Sequence, residues 1–141
     1  MKFVLDASVA LLWLVPQTNP SGIGYADAIL TAMKESQAVV PSLFALEIAN
    51  VVAKVESKGV ATEADSQRFI SLLGQLNIAT DQATMTHALG DTLNLARRYK
   101  LSAYDAAYLE LALRAGLSIS TLDADLAKAA TSAGVPIFGM H

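Results

Sequence analysis

Lys2-Phe3-Val4-Leu5-Asp6-Ala7-Ser8-Val9 runs through apolar residues, stops at an acid and passes at once into small helix-forming residues. An apolar run of this kind fits a strand covered on both faces, and the switch that follows fits the turn of a βα unit. Further short β-branched runs lie near Ala38-Val40, Asn77-Ala79, Ser118-Thr121 and Pro136-Phe138, the third having the weakest pattern. Helical patterns fill the intervals: Ser8-Leu14, Ile23-Glu35, Ser42-Ser57, Glu63-Leu76, Gln82-Tyr99, Ala103-Ala115 and Ala124-Ala133. This alternation predicts an α/β fold, a three-layer α/β/α sandwich around a parallel sheet of about five strands.

The punctuation agrees with that reading. Pro41 suits a first helical turn, Gly59, Gly116 and Gly134 suit the left-handed residue after a helix, and Thr62 and Ser102 suit caps. Gln17-Thr18-Asn19-Pro20-Ser21-Gly22 reads as a turn-rich loop. No repeat or linker divides residues 1–141, so one domain is expected.

Composition narrows the chemistry. Hydrophobic residues make up 53% of the 141 and charged residues 16%, which favours a packed globule over disorder and leaves apolar surface for a protein partner. The apolar stretch Val9 to Val15 ends at Pro16, short of the roughly 20 residues that span a bilayer. Asp6 inside the opening apolar run argues against a secretory signal, so a cytoplasmic protein is expected. The absence of cysteine removes disulfides, thiolate catalysis and cysteine-bound zinc. The net charge of −3 counts against a simple RNA-binding module. Yet of 13 acidic residues, setting four aside as site residues leaves nine against ten basic ones. Arg97, Arg98 and Lys100 form the dense basic patch, readable as a solvated helix end or as phosphate contacts.

Four carboxylates stand out. Asp6 follows the first strand, Asp105 opens a helix after Ser102, and Asp123 follows the strand Ser118-Thr121, with Asp125 close behind. Each could simply cap a helix. Glu47 differs, because its helix is apolar around most of its circumference and a charge there is costly unless it is paired, metal-bound or turned to an exposed stripe with Asn50 and Lys54. Taken together, acids at the carboxyl ends of parallel strands converge on one crevice. Several carboxylates a few ångström apart repel, and hard oxygen donors select Mg²⁺ or Mn²⁺. Such a site suits phosphodiester hydrolysis, in which a metal-activated water replaces a side-chain nucleophile.

Four segments carry a resemblance: Val4-Leu5-Asp6-Ala7-Ser8-Val9, Pro41 to Asn50 with Glu47-Ile48-Ala49-Asn50, Leu101 to Tyr108 with Tyr104-Asp105-Ala106, and Ser120-Thr121-Leu122-Asp123-Ala124-Asp125-Leu126. In order and spacing the chain resembles the PIN-domain nucleases, particularly the VapC-type toxins of toxin-antitoxin pairs. The resemblance implies a metal-dependent ribonuclease with Asp6, Glu47, Asp105 and Asp123 as its acidic quartet. Asp6, Asp105 and Asp123 then hold metal most directly, Glu47 helps bind it or orients the attacking water, and Ser8 and Thr121 stand as supporting hydroxyls. Asp125 leaves open which acid is the fourth. The resemblance further implies an RNA substrate, a homodimer, and an antitoxin protein whose C-terminal segment covers the acidic groove. The two helices between Glu63 and Tyr99 would form a projecting arm for such contacts.

His87 is read as a surface or packing residue and Trp13, Tyr104 and Tyr108 chiefly as packing residues, while His141 is terminal. The rival readings are a haloacid-dehalogenase-like phosphatase, a receiver-like domain and a catalytically silent PIN-like scaffold. The first wants a second acid where Ser8 stands.

Overall fold

The computed structural model describes residues 1–139, so His141 lies outside the described residues. Strands β1 (Lys2–Leu5), β2 (Gln37–Val40), β3 (Ile78–Thr80) and β4 (Ser118–Ser120) form a parallel sheet in the order β3-β2-β1-β4. The first strand in sequence is therefore central, and Phe3, Val4 and Leu5 expose no surface. Burying a side chain of that size stabilises the fold by about 1.5–3 kcal/mol.

Helices connect the strands and cover the sheet. They are α1 (Ala7–Ala10), which tightens into a 3₁₀ turn at Leu11–Trp13, then α2 (Ile23–Ala32), α3 (Phe44–Ser57), α4 (Glu63–Gln75), α5 (Thr84–His87), α6 (Leu93–Tyr99), α7 (Ala103–Ala115) and α8 (Ala124–Ser132). Every residue of α7 from Ala106 to Ala112 is buried, so this helix is held inside the molecule and its first turn is placed accurately against the sheet. Thr62 and Ser102 accept the backbone N–H groups of Asp65 and Asp105 as caps. Gly116 takes a left-handed φ of 67° where α7 ends and the chain turns into β4. Trp13 packs against the core and donates from Nε1 to the Ala26 carbonyl.

Three expectations are corrected. The sheet has four strands rather than about five, because Pro136-Phe138 contributes a single parallel bridge between Ile119 and Ile137. Pro136 has no N–H for a ladder, and Gly139 turns away at a φ of 77°. Phe138 is nonetheless fixed, its ring stacked on Phe3 with centroids 4.1 Å apart. The helix expected over Gln82-Tyr99 divides into α5, a π-helical turn at Ala88–Thr92 and α6, where Gly90 weakens the regular pattern. Strand β3 lies between α4 and α5, where the run near Asn77-Ala79 placed one. Finally, α3 begins at Phe44: the Pro41 carbonyl accepts the Phe44 N–H in a preceding turn, and the Ser42 N–H donates to Thr84 Oγ1.

Candidate active site

Asp6 leaves the end of β1 and enters α1, where its side chain does no capping. Instead the carboxylate turns to β4. Ser8 Oγ donates to Asp6 Oδ2 at 2.5 Å and Thr121 Oγ1 donates to the same oxygen at 2.7 Å. The register explains the meeting: Leu5 pairs with Ser120, and the Asp6 N–H donates to the Ser120 carbonyl at 3.0 Å, so Asp6 and Thr121 emerge side by side. The same two hydroxyls organise the loop after β4. Ser8 Oγ accepts the Leu122 N–H and Thr121 Oγ1 accepts the Asp123 N–H, each at 3.0 Å. Burial pushes Asp6 up from 3.8 to about 6 against the pull of both hydroxyls, with the charges of Glu47 and Asp123 adding to the rise.

Glu47 comes from the first turn of α3, closer to the helix start than the sequence suggested. It does not share the exposed surface of Asn50 and Lys54: it is half-buried, and Tyr108 Oη donates to Glu47 Oε1 at 2.6 Å. Burial raises its titration, Tyr108 opposes the rise and the charge of Asp105 adds to it. Tyr108 is wholly buried, three residues past Asp105 on α7. Tyr104, by contrast, is 63% exposed, which corrects the expectation that it packs inside.

Asp105 sits half-buried in the first turn of α7, where its backbone N–H donates to Ser102 Oγ and the Ser102 hydroxyl also pulls its carboxylate down. Burial first, then the charges of Asp123 and Asp6, push it up to about 6. Asp123 does cap α8, accepting the Leu126 N–H at Oδ1, and is half-buried, while Asp125 is exposed. Three acids of the expected quartet feel a neighbour's charge: Glu47 and Asp123 act on Asp6, Asp105 acts on Glu47, and Asp123 and Asp6 act on Asp105, so side chains from the end of β1, α3, α7 and the end of β4 come together.

A shared pattern runs through three of them. Protein donors occupy one carboxylate oxygen each of Asp6 (Oδ2), Glu47 (Oε1) and Asp123 (Oδ1), and among the described residues the second oxygen of each takes no protein hydrogen bond. One oxygen fixes the rotamer and the other is left for a ligand, the arrangement in which outer hydrogen bonds orient metal-binding groups. Among the described residues no three such side chains already form a cage around an ion. An all-oxygen donor set of spaced acids fits a hard divalent cation that would keep waters and take one or two carboxylates directly. A groove of about 580 Å³ lies elsewhere, between α3 and α4, lined by Phe44, Ile48, Val52, Ile70 and Leu73.

A model of the PIN domain family matches residues 3–131. The chain belongs to the PIN domain family. This PIN domain is 29% identical over 128 residues to Ribonuclease VapC3 of Pyrobaculum aerophilum, a match covering 91% of the chain and 94% of that relative. Its fold is similar to that of PAE2754 from Pyrobaculum aerophilum (TM-score 0.66, 20% identity, 92% of this chain and 79% of that one). It is also similar to VapBC2 of Rickettsia felis, solved bound to a DNA fragment from their promoter (0.61, 17%, 87% and 88%). FitAcB of Neisseria gonorrhoeae has the same fold (0.60, 22%, 99% and 97%).

Two features of the PIN domain escaped sequence reading. The bond from Tyr108 to Glu47 joins residues 61 apart, and only the one-turn spacing of Tyr108 from Asp105 hinted at it. Arg114 clamps buried Glu110 through Nε at 2.7 Å and Asp81 through a second nitrogen at 2.6 Å, tying α7 to the end of β3. The i,i+4 spacing of Glu110 and Arg114 was its available signal.

Proposed function

We propose that this PIN domain is a divalent-metal-dependent endoribonuclease that hydrolyses RNA phosphodiester bonds as the toxin of a toxin-antitoxin pair. The observation carrying the reading is the convergence of Asp6, Glu47, Asp105 and Asp123 on one another's charge from four separate segments. The likeness to a protein named a ribonuclease over 91% of the chain supports the RNA substrate, and the VapBC2 and FitAcB neighbours support an antitoxin partner.

Asp6, Asp105 and Asp123 are the residues that would hold Mg²⁺ or Mn²⁺, with Glu47 binding at its free oxygen or orienting water. When bound, the cation lowers the pKa of a coordinated water and offsets charge on the scissile phosphate. Ser8 and Thr121 keep the Asp6 carboxylate in one rotamer, and Tyr108 does the same for Glu47, so the site needs little reorganisation as charge develops. Asp123 is the fourth acid in this reading, because it is half-buried and raises both Asp6 and Asp105, whereas Asp125 is exposed.

The apolar groove between α3 and α4, with Leu46 exposed nearby at 74%, supports protein interfaces for an antitoxin and for a homodimer. No helix of the described residues is long and apolar enough to cross a membrane, and a cytoplasmic site of action belongs to the same proposal.

The test is cleavage of RNA by the purified chain with Mg²⁺ or Mn²⁺. Activity that disappears with a chelator and in folded Asp6→Asn supports the reading. A folded protein inert with both metals would favour the silent scaffold, and full activity in Asp6→Asn would remove the acidic site from the mechanism.

A further inference from the structure

We infer that Arg98, Lys100 and Lys128 form a cleft that grips RNA phosphates beside the acidic site. The inference rests on the ribonuclease reading above. A cavity of about 340 Å³ lies between the carboxyl end of α6 and the outer face of α8, lined by Arg98, Tyr99, Lys100, Asp125, Lys128 and Ser132. Three cations from two elements thus face a single carboxylate. None of the three forms an ion pair among the described residues, so their charge is free for an external anion.

The local geometry presents them. Lys100 adopts the left-handed conformation at a φ of 55°, which ends α6, and the Arg98 guanidinium lies 5.6 Å from the centroid of the Tyr99 ring. Arg97, the third member of the basic sequence patch, does not line the cleft and instead bonds Asn94. Lys128, which no sequence pattern singled out, takes its place.

Attraction to a helix dipole explains cations in a last turn. It covers Arg98 and Lys100 but not Lys128, which sits midway along α8. Position supplies the rest of the argument. Asp125 stands in the cleft wall two residues after Asp123, at the start of the same helix α8, so the cleft adjoins the proposed catalytic acids. A polyanion held there would run past the acidic cluster, and a protein of net charge −3 needs such a local positive feature to hold one.

The test uses the full chain carrying Asp6→Asn, to prevent cleavage, with a fluorescent oligouridylate as probe and binding followed by anisotropy across a salt series. Each phosphate contact contributes about 0.7 to the slope of log affinity against log salt on a single strand. Lys128→Gln alone should flatten the slope by about 0.7, and Arg98→Gln/Lys100→Asn/Lys128→Gln by about 2. Asparagine is chosen at position 100 because it tolerates the left-handed conformation. Arg97→Gln should keep the parent slope. If the unsubstituted chain cleaves RNA while Lys128→Gln and the triple variant keep the parent slope, the cleft is overturned and the nuclease stands. If the unsubstituted chain cleaves no RNA with either metal, both fall together.

Discussion

Tyr108, whose side chain exposes no surface, donates a 2.6 Å hydrogen bond to Glu47 Oε1 and so locks an acid of α3 to the helix that carries Asp105. Tyr108→Phe keeps the ring and removes only this bond. Losing a hydrogen bond that orients a metal-binding carboxylate weakens metal affinity about 10- to 100-fold. Mn²⁺ titration by calorimetry should show at least the lower figure, with the melting temperature nearly unchanged, and Tyr108→Phe should add no further loss to a chain that already carries Glu47→Gln. Unchanged Mn²⁺ affinity in a folded Tyr108→Phe chain would show that the bond holds nothing the metal uses.

Asp6 gives a pH prediction for the metal-free chain. Its folded titration is raised from 3.8 to about 6, so the folded form holds its proton more tightly than the unfolded chain does. Stability from this group is full below the unfolded value and is lost as pH rises through about 6. The shift is worth about 3 kcal/mol. With chelator present, Asp6→Asn should raise the unfolding free energy by about 2–3 kcal/mol at about pH 7.5 and change it little at about pH 4. Equal effects at both pH values, measured by urea unfolding, would contradict a buried ionised Asp6.

Thr121 both donates to Asp6 Oδ2 and accepts the Asp123 N–H. Thr121→Val preserves shape while stranding the Asp123 N–H and stripping a donor from Asp6. A cost of about 1–2 kcal/mol follows, read as a lower urea midpoint at constant slope. RNA cleavage should fall alongside, since Asp6 loses one of its two restraints. An unmoved midpoint would mean that water replaces the hydroxyl without penalty.

Arg114→Met isolates structure from catalysis. It leaves Glu110, only 4% exposed, without its partner and releases Asp81. Removing one member of a buried pair costs about 3–5 kcal/mol; with Arg114 itself 29% exposed, about 2 kcal/mol is expected here. RNA cleavage by the folded variant should match the parent, and a large loss there would place this network in the active site.

How much of this was visible in the residues themselves depends on the range of each interaction. Strand β1, helix α7 and the caps at Thr62 and Ser102 were legible because apolar runs and capping residues act locally. Asp6, Asp105 and Asp123 could be named from their places at strand and helix ends, and Glu47 from its apolar helix. Their hydrogen-bond partners could not, since Tyr108 meets Glu47 and Thr121 meets Asp6 only through parallel pairing and helix packing. The fifth strand was overread because Pro136-Ile137-Phe138 has the right side chains but lacks a ladder donor at its start. The π-helical turn at Ala88–Thr92 was hidden because its helical periodicity continues on either side.

The strand order has a consequence for biosynthesis. β1 is the first strand to leave the ribosome, yet one of its two neighbours is β4, with Phe3 facing Ser118. Until that late segment emerges, one flank of β1 stays unpaired and Asp6 lacks Thr121. Until β4 has emerged, a nascent chain therefore carries an open, aggregation-prone edge and no assembled acidic cluster.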